Sequence, residues 1–215
     1  MDSSLSLKLA ALKSWLGVGS INLFGLPMSG KDTVGTKLAE ALGAQFLSSG
    51  AIIREREQAE RQQLTAHGEL IKTDIFYDWV LPVFDSPELK SLPLVLSSIG
   101  RWSGEEDEVM ARAKSSGHEL KAAIVLNVSE ADVMNRWETA QALGDRGARA
   151  DDADPEVFKT RLAEFREKTL PVLKHYHDLG LLVEVKADVS REEVFANLVD
   201  ALYAFSLQSQ PSSAS

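Results

Sequence analysis

The run Gly25-Leu-Pro-Met-Ser-Gly30-Lys31-Asp32-Thr33 limits the fold of this chain more than any other segment. Ile21–Phe24 ahead of it is a short apolar run fit for a buried strand, and Val34 to Leu42 behind it has helical spacing of apolar residues. Strand, glycine-bounded turn and helix start are the context that a phosphate-binding loop requires. Gly25 and Gly30 permit backbone geometry closed to other residues, so successive N–H groups can curl around phosphate oxygens at a helix N-terminus that carries partial positive charge. Lys31 adds a mobile cation. An ordinary turn can hold a Gly-Lys pair as well, but the flanking strand and helix favour the phosphate reading.

The 215 residues, 44% of them hydrophobic, suffice for one well-filled core. A formal charge of −9 argues against a general grip on nucleic acid, because a duplex backbone repels an acidic surface unless basic residues cluster. A polyphosphate ligand would therefore need locally gathered arginines. There is no cysteine, which removes disulfides, thiolate zinc ligands and a cysteine nucleophile together. No apolar run approaches the roughly 20 residues of a membrane span, and the N-terminus lacks the features of an export signal. The expectation is a cytoplasmic protein without membrane or nucleic-acid partners.

Strand-like runs at Ile21–Phe24, Ala44–Leu47, Leu94–Ser97, Ala123–Asn127 and Leu181–Val185 alternate with helical patterns. That order predicts an α/β fold with a mostly parallel central sheet flanked by helices. Leu5, Leu9, Leu12 and Leu16 form one stripe, so residues 1–18 read as an extension helix that packs on the body. Helices are expected at 52–63 and 73–84, and the serine-rich residues 206–215 as a frayed tail. Residues 19–205 make the main domain.

The arginines are spaced as separate sites. Arg54 follows Ser48-Ser49-Gly50, Arg101 follows the strand at 94–97, Arg136, Arg146 and Arg149 bracket a glycine-containing segment, and Arg161 lies on the next helix. Arg54 and Arg101 both fall beyond expected strand ends, where ligands gather in open α/β sheets. Phosphoryl transfer needs such scattered cations, because charge spreads over the moving group and the protein chiefly aligns donor and acceptor.

These residues resemble a family. The loop at 25–33, Ser48-Ser-Gly-Ala-Ile-Ile-Arg54, Gly68-Glu-Leu-Ile71, Arg149-Ala-Asp-Asp152, Arg161-Leu162, Thr169-Leu-Pro-Val-Leu173 and Tyr176 look like adenylate kinase and its nucleoside monophosphate kinase relatives, in order and spacing from about Ile21 to Leu202. The resemblance implies a P-loop NTPase-type sheet, a small helical acceptor-binding segment at about 49–80 and a short lid at about 137–149. A long zinc-bearing lid is excluded by length and by the missing cysteines.

The resemblance also implies roles. Gly25, Pro27, Met28, Ser29, Gly30, Lys31, Asp32 and Thr33 would hold ATP, with Arg136 on its side and the backbone near Lys186 and Ala187 receiving the adenine. Ser49, Gly50, Arg54, Leu70, Ile71, Arg101 and Glu105 would hold the monophosphate acceptor. Lys31, Arg101, Arg149 and Arg161 would carry the transfer, with Asp151 and Asp152 placing the lid arginines and Mg²⁺ accompanying ATP. The implied reaction passes the ATP γ-phosphoryl to AMP. GMP or a pyrimidine monophosphate as acceptor, and a noncatalytic nucleotide binder, are the alternatives. A monomer is expected.

Departures from the pattern bear on metal and acceptor. The family carries Asp-Gly-Phe-Pro-Arg after its third strand, where this chain reads Ser97-Ser-Ile-Gly-Arg101, so the arginine survives and the magnesium-organising aspartate does not. Asp32 is the candidate replacement, acting through water; it equally suits a helix N-terminus. Glu105 stands where a glutamine usually reads adenine. A carboxylate only accepts, which suits the two adjacent donors of guanine, unless Glu105 faces solvent. Ala51 replaces a residue that is often acidic. Trp79, Trp102 and Trp137 read first as packing residues, with Trp102 able to flank the acceptor site. The histidines have no metal-ligand spacing.

Overall fold

A computed structural model describes residues 3–143 and 154–209. Strands β1 (Ser20–Gly25), β2 (Gln45–Ser48), β3 (Leu94–Ser97), β4 (Leu120–Asn127) and β5 (Leu182–Lys186) form one sheet in the order β2-β3-β1-β4-β5, with every pair parallel. The expected α/β class and sheet are therefore present. All six residues of β1 are buried, as befits a central strand covered on both faces. Register brings the strand ends level: Ser97 lies beside Leu23 on one side and Ser48 on the other.

Alternation along the strands sorts the core into two faces. Ile21, Leu23, Ile124 and Leu126 pack with α1 (Ser3–Leu16), α2 (Lys31–Leu42) and α9 (Arg191–Gln208). Phe24, Ala123 and Val125 pack with α6 (Glu130–Leu143), α7 (Pro155–Glu164) and α8 (Leu170–Asp178), where fully buried Tyr176 lies 5.8 Å from Phe24 and Trp137 stacks on Phe158 at 5.5 Å. A third cluster joins β3 to α4 (Thr73–Trp79) and α5 (Glu105–Ser115). α1 buries Leu9, Leu12 and Leu16, pairs Lys8 with Asp200 at 2.7 Å and sets Trp15 edge-on to Phe205.

Element bounds depart from the sequence reading where local chemistry intervenes. The helix expected over 73–84 stops at Trp79 and continues as a 3₁₀ turn, Leu81–Asp85, because Pro82 lacks the N–H that an α-helix needs. The charged helix α3 runs Ser49–Glu60 and begins directly at the end of β2. α9 continues to Gln208 with Ser206 buried, and residues 210–215 lie outside the described residues.

Candidate active site

The loop between β1 and α2 has the backbone that its sequence forecasts. Gly30 sits at φ +88° as the N-terminal cap of α2, and Met28 adopts φ +61°, a region costly for a side chain and characteristic of functional turns. A Cβ on Gly25 would lie 2.7 Å from Ser29 Oγ. Pro27 and Ser29 are buried, and Ser29 Oγ has no hydrogen-bond partner among the described residues, although buried hydroxyls ordinarily have one. A phosphate oxygen would satisfy it. The Lys31 ammonium lies 3.4 Å from the Leu26 carbonyl.

Arg136 binds the loop to the far end of the sheet. Its guanidinium donates to the Ala187 carbonyl at 2.7 Å and reaches the Met28 and Ser29 carbonyls at 3.4 and 3.5 Å. Met28, Ser29, Gly30, Thr33 and Arg136 line one broad cleft with the start of α9. The Lys186 side chain is exposed beside Asp188 at 3.8 Å and does not line that cleft; what the β5–α9 connection brings near is backbone, with the Lys186 carbonyl accepting from Asn197 and the Ala187 carbonyl from Arg136.

A second cleft, about 720 Å³ including its open mouth, gathers Ser49, Gly50, Arg54, Leu70, Ile71, Arg101, Glu105 and Arg161. These come from α3, the connection before α4, the turn after β3, α5 and α7. Three arginines thus converge from three elements at the carboxyl edge of the sheet, where ligands collect in such folds. Arg101 Nε also donates to Thr169 Oγ1 at 3.3 Å. Gly68 makes the wall possible: at φ +84°, a Cβ there would lie 2.6 Å from the Val157 carbonyl of α7. Arg146, Arg149, Asp151, Asp152 and the part of the expected lid beyond Leu143 lie outside the described residues; residues 137–143 are the end of α6.

Glu105 does not face solvent. Only 2% of its surface is exposed, and it lines the cleft while its carboxylate holds the turn after β3 in place. Oε2 accepts from the backbone N–H groups of Arg101 and Trp102 at 2.8 and 3.0 Å, and Oε1 from the Thr73 hydroxyl at 2.9 Å. Burial pushes its carboxyl above the usual glutamate range, against the lowering by those N–H groups, the Thr73 hydroxyl and Arg101. Asn22 on β1 grips the same turn: its amide donates to the Ile99 carbonyl at 2.7 Å and its carbonyl accepts from the Ile99 N–H at 3.3 Å. The polar residue within the buried 21–24 run was its only sequence signal.

Asp32, in the first turn of α2, accepts from the Ser97 hydroxyl at 2.6 Å. Trp102 is not a core residue: it lines the second cleft and donates from its indole to the Ile71 carbonyl at 3.1 Å. His175 and His177 face Asp107 and Asp178, and no group of three or more metal-ligating His, Cys, Asp or Glu residues occurs among the described residues. No helix among them is long and apolar enough to cross a membrane.

The chain is 34% identical over 182 residues to an adenylate kinase from Chelativorans sp. (strain BNC1), covering 80% of this chain and 92% of the relative. It is 28% identical to an adenylate kinase from Brucella ovis, covering 82% and 94% of the two chains. A solved gluconokinase from Sinorhizobium meliloti 1021 shares the fold at TM-score 0.57 and 20% identity, covering 89% of this chain and 98% of that one. No family model matches the chain. With the phosphate loop, the five-stranded parallel sheet and these relatives in agreement, the chain belongs to the adenylate kinase family and is a P-loop phosphotransferase.

Proposed function

We propose that the protein transfers the γ-phosphoryl of ATP to a nucleoside monophosphate, with AMP as the acceptor, so that ATP and AMP yield two ADP. The observation that carries this reading is the convergence of Arg54, Arg101 and Arg161 on one cleft at the same sheet edge as the Lys31 loop. A protein that only binds ATP has no use for three cations in a second cleft. In the reaction an acceptor phosphate oxygen attacks the γ-phosphorus, the bond to the bridging oxygen breaks and ADP leaves. No side chain forms a covalent bond. Lys31, Arg101 and Arg161 hold the charge of the transferring group, Arg54 holds the acceptor phosphate, and Arg149 adds to them from the lid.

The cleft chemistry favours adenine over guanine. Both acceptor positions of Glu105 Oε2 are used by backbone N–H groups, and Oε1 already accepts from Thr73. One acceptor position remains, which suits the amino group of adenine; guanine would need two for its adjacent donors. GMP stays the alternative because the group there is a carboxylate.

Mg²⁺ fits the donor set beside the loop. Thr33, Asp32 and Ser97 offer only oxygen, and the sparse carboxylates suit a cation that keeps several waters and binds chiefly through phosphates. When bound with ATP it would neutralise donor phosphate charge; Thr33 would ligate it and Asp32 would orient its waters. A cytoplasmic monomer is part of the same proposal. Coupled ADP-formation assays with ATP, Mg²⁺ and a panel of monophosphates provide the test. Absence of ADP with every acceptor would overturn the enzyme reading, and faster turnover of GMP than AMP would reverse the acceptor.

A further inference from the structure

The wall of the acceptor-side cleft at Leu70 and Ile71 is held from both sides by one closed ring of contacts. The Leu70 N–H donates to Glu164 Oε2 at 2.9 Å. Glu164, only 8% exposed, is paired with Lys168, whose ammonium lies 2.6 Å from Oε1 and 2.7 Å from Oε2. The same ammonium stands 4.0 Å above the Trp102 ring, and the Trp102 indole donates to the Ile71 carbonyl at 3.1 Å. Since Leu70 and Ile71 are consecutive, the ring closes on itself.

Its parts come from three places that sequence distance separates. The wall belongs to the connection before α4, Trp102 to the turn after β3, and Glu164 and Lys168 to the end of α7 and the π turn Phe165–Thr169 that follows it. Irregular turns of this kind in helices recur at functional positions. Gly68 brings the wall close enough for the ring to form, because a side chain there would meet the Val157 carbonyl. The ammonium is the joint of the ring: it neutralises a nearly buried carboxylate and gives the indole a cation on its face, and each contact fixes the other.

We propose that Glu164, Lys168 and Trp102 form a clasp that sets the Leu70–Ile71 wall before the acceptor arrives, making Glu164 and Lys168 positioning residues for acceptor binding. This rests on the acceptor reading of the cleft given above. A preset wall lowers the ordering cost of binding, so the clasp acts on acceptor affinity and not on the chemical step.

Hydrogen exchange of the ligand-free full chain, followed by steady-state kinetics, tests the clasp. In the wild type the Leu70 amide, bonded to Glu164, is expected to be protected. Glu164→Ala is expected to speed its exchange about tenfold or more, the worth of one charge-assisted hydrogen bond, while Glu164→Gln, which still offers an acceptor, keeps most of the protection. The β1 amides serve as the control for global folding. Kinetically, Glu164→Ala and Lys168→Met should each raise the acceptor KM severalfold to about tenfold, with kcat and the KM for ATP nearly unchanged, and Glu164→Gln should recover part of the loss. If Glu164→Ala does not fold, Lys168→Met decides. Unchanged Leu70 exchange, or an unchanged acceptor KM despite faster exchange, overturns the proposal. A wild type inactive with every monophosphate would overturn the kinase reading instead, and the exchange result would then judge the clasp alone.

Discussion

Asp32 accepts a 2.6 Å hydrogen bond from Ser97, the residue that stands where the family pattern has its aspartate. A carboxylate carried by the neighbouring helix α2 thus stands beside the end of β3. Asp32→Ala is expected to raise the Mg²⁺ concentration for half-maximal activity about 10- to 100-fold, the usual cost of losing a group that orients a metal's waters. Asp32→Gly combined with Ser97→Asp should return it toward the wild-type value. A Mg²⁺ titration unchanged in Asp32→Ala would leave Asp32 with only its effect on the helix N-terminus, visible as a stability loss of about 0.3–1 kcal/mol.

Glu105 joins Arg101 to Thr73, so its two roles separate under substitution. Glu105→Gln can keep every contact if its carbonyl accepts from the two N–H groups and its amide donates to the Thr73 hydroxyl, whereas Glu105→Ala abandons the turn that carries Arg101. Acceptor kcat/KM should fall about tenfold or more in the alanine variant with any base, whereas the glutamine variant should keep the turn and lose turnover of AMP alone, because its amide presents a donor where Oε1 would accept from the adenine amino group. A large switch between AMP and GMP in Glu105→Gln would show that the carboxylate reads the base.

The raised carboxyl of Glu105 adds a pH signature. Protonation is easier in the folded state than in the unfolded chain, so the neutral form favours folding, and that contribution is lost as pH rises through the raised value. Melting temperatures of wild type and Glu105→Gln, compared between about pH 4 and pH 7, should show the wild type losing ground to the variant as pH rises. A constant difference across the range would count against the titration.

Much of this architecture was legible in the chain because it rests on local pattern. Apolar runs marked all five strands, and Gly25, Gly30 and Lys31 marked the turn that follows β1. Arg54 and Arg101 were marked by their places beyond strand ends, and Leu70, Ile71 and Arg161 by family resemblance; all five line one cleft. What escaped depends on contacts between distant segments. Asn22 looked like one more residue of a buried strand until its partner 77 positions away was known. Trp102 read as packing because indole burial is the common case, and its bond to Ile71 has no local signal. The orientation of Glu105 was open for the same reason, since glutamate at a helix start faces water far more often than it holds a neighbouring turn. Pro82, by contrast, was visible and sufficient to end α4 early.

Lys31 follows the left-handed Gly30 at the start of α2, so the loop's backbone fixes where its ammonium can reach. Lys31→Met keeps the length and apolar stem and removes only the charge. Expected is a loss of about 10²–10³ in kcat, the scale for a group that stabilises transition-state charge, with a melting temperature close to the wild type. Activity within a few-fold of wild type would remove Lys31 from the transfer step.

Asn22 holds Ile99 by both backbone groups from within the sheet, and Ile99 lies two residues before Arg101. Asn22→Ala would leave a buried N–H and a buried carbonyl without partners, a cost of about 1–3 kcal/mol for each group left unsatisfied. Urea unfolding should therefore lose a few kcal/mol in this variant. Because the freed turn carries Arg101, acceptor binding should weaken as well, while ATP binding, which depends on the loop after β1, should not. Asn22→Asp separates the two effects: it keeps an acceptor for the Ile99 N–H but loses the donor to its carbonyl and adds a buried charge, so its stability should fall at least as far as that of the alanine variant. Equal weakening of acceptor and ATP binding in Asn22→Ala would mean that the residue supports β1 as a whole and not the Arg101 turn.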